Sequence, residues 1–177
     1  MLSDLRHTHL KRASGVYRYA SSMARASPKT GTRAVRSLAA WLLEQETDDA
    51  ADPDAVLAAA ERTCQKLCTR LAKLVTVAGC QSLLARAIHL AAAEAPFLRA
   101  VRAGTIPGQC LENVQESADG ATRQQTQAGL HAVVAHLIGL LVLFIGEGMT
   151  GRLVRDVWPD APLGAGGTDS APQEAPS

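Results

Sequence analysis

The fold class follows from one stretch of sequence, LAAAERTCQKLCTRLAKLVTVA, at residues 57–78. Its apolar residues recur at alternating intervals of three and four, which is the spacing of one face of an α-helix. The members of that face are Leu57, Ala60, Cys64, Leu67, Leu71, Leu74 and Ala78. The pattern predicts one helix of about six turns across the whole stretch, with its leucines in the core.

Composition supports an all-α fold. Hydrophobic residues make up 47% of the chain but aromatic residues only 3%, and much of the apolar share is alanine. Small and aliphatic side chains suit closely packed helices, whereas valine and isoleucine are too sparse for a sheet of several strands. A length of 177 residues is that of one domain. We therefore expect a small all-α helical bundle at residues 34–158, between a disordered basic arm at 1–33 and a disordered tail at 159–177.

Capping signals and periodicity place the helices on either side of this stretch. An amphipathic pattern predicts a helix at residues 33–46. The dipeptide Asp52-Pro53 supplies an N-cap and a first helical residue for the helix that follows. After a bend at Gly79, a second apolar series extends to Pro96, which disfavours helix at the residue before it.

The second half of the chain is predicted to contain two more helices. Residues 104–120 should form a loop with one helical turn at 111–114, and residues 121–145 a helix whose second half is almost wholly apolar. Thr150 is predicted to cap a last helix at residues 152–158. The core residues expected here and in the preceding helix are Leu84, Ile88, Val134, Leu137, Leu141 and Phe144.

The formal net charge of +1 hides an uneven distribution. Residues 1–37 carry eight Lys or Arg and one acid, whereas residues 38–177 carry ten basic and sixteen acidic groups. A basic arm of this kind can bind nucleic acid, anionic lipid or the chain's own acidic segment. The helix predicted at residues 57–78 is also basic, on the side opposite its apolar face, and this stripe should face solvent or an acidic partner. Its cations are Arg62, Lys66, Arg70 and Lys73.

The four cysteines favour a reducing compartment. They are too few for the disulfide framework of a small secreted protein, and no N-terminal apolar run is long enough for a signal peptide. We therefore expect a cytoplasmic protein, although a start rich in Arg, Ser and Ala is also typical of a mitochondrial transit peptide. Cys64 and Cys68 share a helix face and offer a soft-metal or redox pair, but burial in the core is the favoured interpretation.

No residue pattern indicates a catalytic site. The chain has no GxSxG, HExxH, P-loop or GxGxxG motif. His131 and His136 interrupt the apolar helix, but helical residues five apart point about 140° from each other, so these two cannot jointly hold one metal ion. We expect core or interface histidines bonded to neighbouring backbone, and neither an enzymatic activity nor a metal or cofactor.

A second informative segment lies at residues 144–160, FIGEGMTGRLVRDVWPD. We predict that Glu147, Arg152 and Arg155 form a charged cluster around its glycine turn and, with Trp158, a surface for a protein partner. The alternative is structural. In that case the two arginines pair with neighbouring acids and Trp158 caps the core.

Together with RLAKLVTVAGCQSLLARAIHLA at residues 70–91, this segment resembles an uncharacterised family of short bacterial helical proteins whose C-terminal end reads FIGE-x-LT-x-RL-x-R-x-WP. The likeness covers about residues 55–160, without the basic arm and the tail. The chain departs from the pattern at Met149, where leucine is expected, and at Gly151. The resemblance implies a bacterial origin and a helical fold, and it implies no activity, cofactor or catalytic residue.

The expected function is a cytoplasmic interaction or regulatory module that binds another protein through its charged surfaces. The alternative is a peripheral membrane protein that uses the apolar helix at residues 130–146 and the basic arm. That segment is about 25 Å long as a helix and falls short of a hydrocarbon core of about 30 Å. Nucleic-acid binding is weaker still, since Tyr17 and Tyr19 are the only aromatic residues of the arm available for base stacking.

Overall fold

The computed structural model describes residues 31–47, 53–104 and 108–163. Within these residues the chain forms six α-helices, one 3-10 turn and a two-stranded sheet, so the predicted all-α fold class is confirmed. The helices are α1 (Gly31–Glu46), α2 (Pro53–Leu71), α3 (Val77–Ala91), α4 (Val114–Ala118), α5 (Arg123–Ile145) and α6 (Glu147–Arg155). The 3-10 turn is Pro96–Arg99, and the strands β1 (Arg102–Ala103) and β2 (Leu111–Glu112) pair antiparallel.

Helix α5 is the centre of the packing, and it contacts α3 most extensively. Its start is fixed by a capping box in which the Thr122 hydroxyl accepts the Gln125 N–H (3.3 Å) and the Gln125 side chain accepts the Thr122 N–H (2.9 Å). By length and composition α5 is apolar enough to cross a membrane, but half of its most apolar window is buried by the rest of the chain. Its fully buried side chains are Leu130, Val133, Val134, Leu137, Ile138 and Leu141.

The helix directions follow from which ends meet. Asp54 and Leu57, in the first turns of α2, line a cleft with Arg123 and Thr126 of α5, so α2 and α5 start side by side. Helix α3 follows α2 after a five-residue connection, residues 72–76, and the Cys68–Cys80 disulfide joins the end of α2 to the start of α3. Ala95 and Phe97, after the end of α3, lie against Gly129 in the first half of α5, so α3 and α5 pack antiparallel. The α2–α3 connection and the α5–α6 turn consequently lie at the same end of the bundle.

One predicted helix is in fact two. The helix expected at residues 57–78 ends at Leu71, and a separate cap starts α3, where the Thr76 hydroxyl accepts the Gly79 N–H at 3.1 Å. The Leu71 carbonyl accepts the N–H groups of Leu74 (2.8 Å) and Val75 (2.9 Å), which closes α2. The bend therefore lies before Gly79 rather than at it.

Most of the predicted core is confirmed, and three members are not buried. Leu67, Leu71, Leu84, Ile88, Val134, Leu137 and Leu141 are buried. Leu57 is half-buried, whereas Leu74 and Phe144 are 53% and 63% exposed. Leu74 follows the end of α2. Phe144 lies in the last turn of α5, a helix of 23 residues that packs antiparallel against the 15 residues of α3.

The last helix begins earlier than predicted. It starts after Gly146, whose φ of 84° is a conformation that residues with a side chain rarely adopt. Thr150 is therefore not an N-cap. It is buried inside α6, where its hydroxyl donates to the Gly146 carbonyl at 2.8 Å.

The predicted loop at residues 104–120 contains more structure than expected. Strand β2 occupies part of the predicted helical turn at 111–114, and Asn113, with a φ of 61°, separates it from α4. The start of α2 at Pro53 agrees with the prediction, and α1 starts two residues before the predicted position.

The boundaries of the predicted bundle move slightly outward. Leu163 and Ala161 pack partly against the core, so the packed region extends past the predicted limit at residue 158. Residues 1–30 of the predicted arm and residues 164–177 of the predicted tail lie outside the described residues.

Candidate interaction surface

The structure joins the two predicted partner surfaces into one. Helices α2 and α6 pack together, and the Arg70 guanidinium donates to the Asp156 carbonyl at 3.3 Å. The Lys66 ammonium lies 5.8 Å from the centroid of the Trp158 ring, within the range of a cation–π contact. The basic stripe of α2 and the C-terminal charged residues therefore form a continuous α2–α6 face. Its α2 cations are Arg62, Lys66 and Arg70, and the exposed cations that adjoin it in the chain are Lys73, Arg152 and Arg155.

Glu46, the last residue of α1, organises the centre of this face. Its carboxylate is 6% exposed and accepts the Lys66 ammonium at 2.6 Å and the Trp158 indole N–H at 2.8 Å. The Arg62 guanidinium lies 3.6 Å from the other carboxylate oxygen and also donates to the Glu46 backbone carbonyl. One buried carboxylate therefore ties α1, α2 and the segment after α6 together.

The acidic partner expected for part of the basic stripe is thus Glu46 of the same chain. Sequence spacing did not identify it, because its contacts join residues 16, 20 and 112 positions apart. The available signal was the acidic run that begins at the end of α1. Trp158 is buried, as the structural alternative for the C-terminal segment required.

The rest of the face is exposed charge. Lys73, Arg152, Arg155 and Glu147 are all exposed, and in the part of the chain that the structure describes no ion pair joins Glu147 to either arginine. Within the described residues neither arginine forms an ion pair with Asp156 either, so the predicted intramolecular pairing is not seen, and the charged cluster stays a prediction. The side chains of Arg152 and Arg155 point into solvent beside a rigid centre.

A second polar cluster lies on the other side of the bundle. The Arg36 guanidinium donates to both Glu94 carboxylate oxygens (3.0 and 2.8 Å), and the His136 Nε2 lies 2.8 Å from one of them. The hydrogen bond from Arg36 is the largest cause that lowers the pKa of Glu94 below its usual value. The His131 Nε2 donates to the Arg36 backbone carbonyl at 2.8 Å. His131 thus bonds to backbone as predicted, whereas His136 bonds to a carboxylate.

This cluster forms one rim of an open groove of about 600 Å³ between α1, the 3-10 turn and the start of α5. The wall opposite the charges is apolar and includes Phe97 and Gly129. Arg36 and Glu94 form an ion pair with each other at this rim. Within the described residues, no group of three His, Cys, Asp or Glu side chains is arranged to hold a metal ion.

The cysteines divide into a bonded pair and two thiols. Cys64 is buried, as predicted, but Cys68 forms a disulfide with Cys80 that links α2 to α3, so its expected role as a free core thiol is wrong. Burial raises the pKa of Cys64 well above its ordinary value and, with the nearby charge of Glu61, raises the pKa of Cys110 to about 11. Both thiols are therefore protonated at neutral pH, and neither is a thiolate nucleophile.

Glu61 is a further, half-buried anchor. Its carboxylate accepts the backbone N–H groups of Cys110 and, at 2.9 Å, of Leu111. Burial raises the pKa of Glu61 despite these two hydrogen bonds, which act in the opposite direction. The contact attaches the β2 strand to the middle of α2.

No protein-family model, curated protein or solved structure matches this chain. The resemblance of the C-terminal segment to a bacterial family therefore stays a prediction.

Proposed function

We propose that the chain is a non-enzymatic helical interaction module that binds an acidic segment of a protein partner across the α2–α6 face. The observation that carries the proposal is the contact of the basic stripe of α2 with the segment after α6, made by Arg70 with Asp156 and by Lys66 with Trp158, which brings Arg155, the neighbour of Asp156, beside the cations of α2. Clustered exposed cations attract carboxylates and raise the rate of encounter with an acidic partner.

The buried Glu46 contacts make this face suited to binding. Since Glu46 holds Arg62, Lys66 and Trp158 in place, the backbone that displays Arg152 and Arg155 is fixed before a partner arrives. A preordered surface loses less conformational entropy on binding. The exposed arginines then provide the charges that a partner neutralises.

The chemistry of the face favours a protein over a nucleic acid. Trp158 is its aromatic residue, and a side chain that is 6% exposed offers no platform for a base. We propose the cytoplasm as the location, as the sequence predicts. The Cys68–Cys80 disulfide is the observation that argues against it, because disulfides persist mainly in oxidising compartments.

Charge reversal tests the proposal. The double variant Arg152→Glu, Arg155→Glu should lose a partner that the full chain captures from its source cell, with a drop of about tenfold or more in recovery. The matched control is the double variant Arg86→Glu, Arg99→Glu, which reverses two exposed arginines outside this face. An unchanged set of captured proteins from a folded Arg152→Glu, Arg155→Glu variant would eliminate the recognition role.

A further inference from the structure

The exposed large apolar side chains of the described residues all lie at one end of the bundle. They are Leu74 (53% exposed), Val77 (65%), Leu143 (63%), Phe144 (63%) and Met149 (43%). Leu74 lies in the α2–α3 connection and Val77 directly after it, and the other three flank the α5–α6 turn. Because the helix directions bring these two connections to the same end, the five side chains lie together at that end, which we call the apolar tip.

A cluster of this kind marks a binding surface. Single exposed apolar residues are ordinary on proteins, but their concentration at one end, with the sides of the bundle free of them, is not. The tip consists of two helical connections and therefore projects outward. Its side chains are aliphatic, phenyl and thioether groups, which seek an apolar medium and no specific hydrogen-bond partner.

The charges around the tip indicate what kind of apolar surface it would bind. Lys73 directly precedes Leu74, and Arg152 lies one turn after Met149 on α6; both cations are exposed, and Glu147 is the acid beside them. At the opposite end, the start of α2 and the region of α4 contribute Asp54, Glu116 and Asp119, with Arg123 of α5 among them. An anionic surface would therefore attract the tip more than the far end.

We propose that the apolar tip inserts into the interfacial region of an anionic lipid bilayer, with Lys73 and Arg152 against the lipid phosphates. Bulky apolar side chains flanked by cations are the features that hold a protein on a bilayer surface at a depth of about 5–10 Å. The rest of α5 stays in the core, so the attachment is peripheral and no helix spans the membrane.

This inference does not depend on the partner-binding role, and it separates from that role by residue type. Insertion depends on the apolar side chains of the tip, whereas Arg155 belongs to the α2–α6 face alone; Lys73 and Arg152 adjoin both surfaces. A membrane-bound module of this kind would bring its acidic partner to the bilayer.

Flotation of the full chain with phosphatidylcholine vesicles that contain phosphatidylserine tests the inference. We expect the protein to float with these vesicles and to remain behind with vesicles of phosphatidylcholine alone. The double variant Leu143→Ser, Phe144→Ser should lower the partition coefficient by about tenfold or more, since two large side chains no longer leave water. The matched control is Ala85→Ser, Ala93→Ser, which adds the same hydroxyls at exposed sites away from the tip.

A direct reading of depth comes from Phe144→Trp. Its indole emission should shift to the blue on binding and be quenched by brominated lipid chains. Circular dichroism confirms that each variant is folded, and this is expected because the replaced side chains are mostly exposed.

Three results would overturn the inference. The first is absence of binding to phosphatidylserine vesicles by the folded full chain. The second is equal binding by Leu143→Ser, Phe144→Ser, which would leave charge alone as the cause. The third is a dimer of the full chain that this variant converts to a monomer in sedimentation equilibrium without any vesicle binding, because the tip would then join two copies. Loss of partner capture by the single variant Arg155→Glu, with unchanged flotation on phosphatidylserine vesicles, bears on the proposed function and not on the tip.

Discussion

Replacing Glu46 with alanine should destabilise the fold more than its position at a helix end suggests. The substitution removes the acceptor of the Trp158 indole N–H, and a buried donor left without a partner costs about 1–3 kcal/mol. Lys66 and Arg62 lose the same carboxylate, but their side chains are 46% and 36% exposed, so water solvates their charges in the variant. Their share is therefore that of exposed pairs, about 0–1 kcal/mol. We expect the free energy of unfolding to fall by about 1–4 kcal/mol in total.

Urea denaturation followed by circular dichroism measures this loss. Glu46→Gln should lose less, about 1 kcal/mol, because an amide oxygen can still accept the indole N–H. Glu44→Ala is the matched control, since Glu44 is exposed on the same helix and should change stability by about 0.5 kcal/mol or less. If Glu46→Ala is no more destabilised than Glu44→Ala, the buried carboxylate does not hold the α2–α6 face together.

Three further predictions concern the rest of the fold. Gly129→Ala would place its methyl group 2.6 Å from the Phe97 ring and should lower the free energy of unfolding, measured by thermal melting, by about 1–3 kcal/mol. Gly139→Ala, in the same helix but with open space around it, should leave stability unchanged or raise it. The folded state lowers the pKa of Glu94 from its ordinary value of 4.5, so its carboxylate stabilises the fold above that pH and this stabilisation is lost as the pH falls through the folded pKa. Urea titrations from neutral to acid pH should therefore show a smaller loss of unfolding free energy for Glu94→Gln than for the unchanged chain. Cys68→Ser removes the disulfide and should lower the free energy of unfolding by about 2–3 kcal/mol. Alkylation of free thiols in the source cell, followed by mass spectrometry, reports whether the disulfide forms there. An oxidised pair would contradict the cytoplasmic location.

Apolar periodicity predicted most of the helices, because each buries one side of a repeating surface. It did not reveal the break after Leu71, since the apolar interval of three and four residues continues through the connection into α3. The capping signal was present in the sequence as Thr76, three residues before Gly79. A hydroxyl that satisfies the first free N–H groups of a helix is therefore a better sign of a boundary than the glycine.

The α2–α6 face was predicted as two separate groups of residues for a different reason. Each group has regular spacing within its own helix, and spacing of this kind is local. Their union depends on Glu46, which reaches Lys66 across 20 positions and Trp158 across 112. Contacts over such distances are set by how helices pack, and the pattern of a single sequence does not contain that information.

Leu74 and Phe144, the two predicted core residues that are most exposed, show what periodicity measures. A repeating apolar pattern identifies the side of a helix that faces its neighbours, but burial also requires a neighbour at the same height along the axis. Leu74 lies beyond the end of α2. Phe144 lies in the final turn of α5, at the end of the bundle where the shorter α3 begins. Apolar residues that continue a core pattern past the end of the packing have no structural need to be apolar. Such residues are therefore candidates for contact with a second apolar phase, and at the apolar tip they coincide with Val77, Leu143 and Met149.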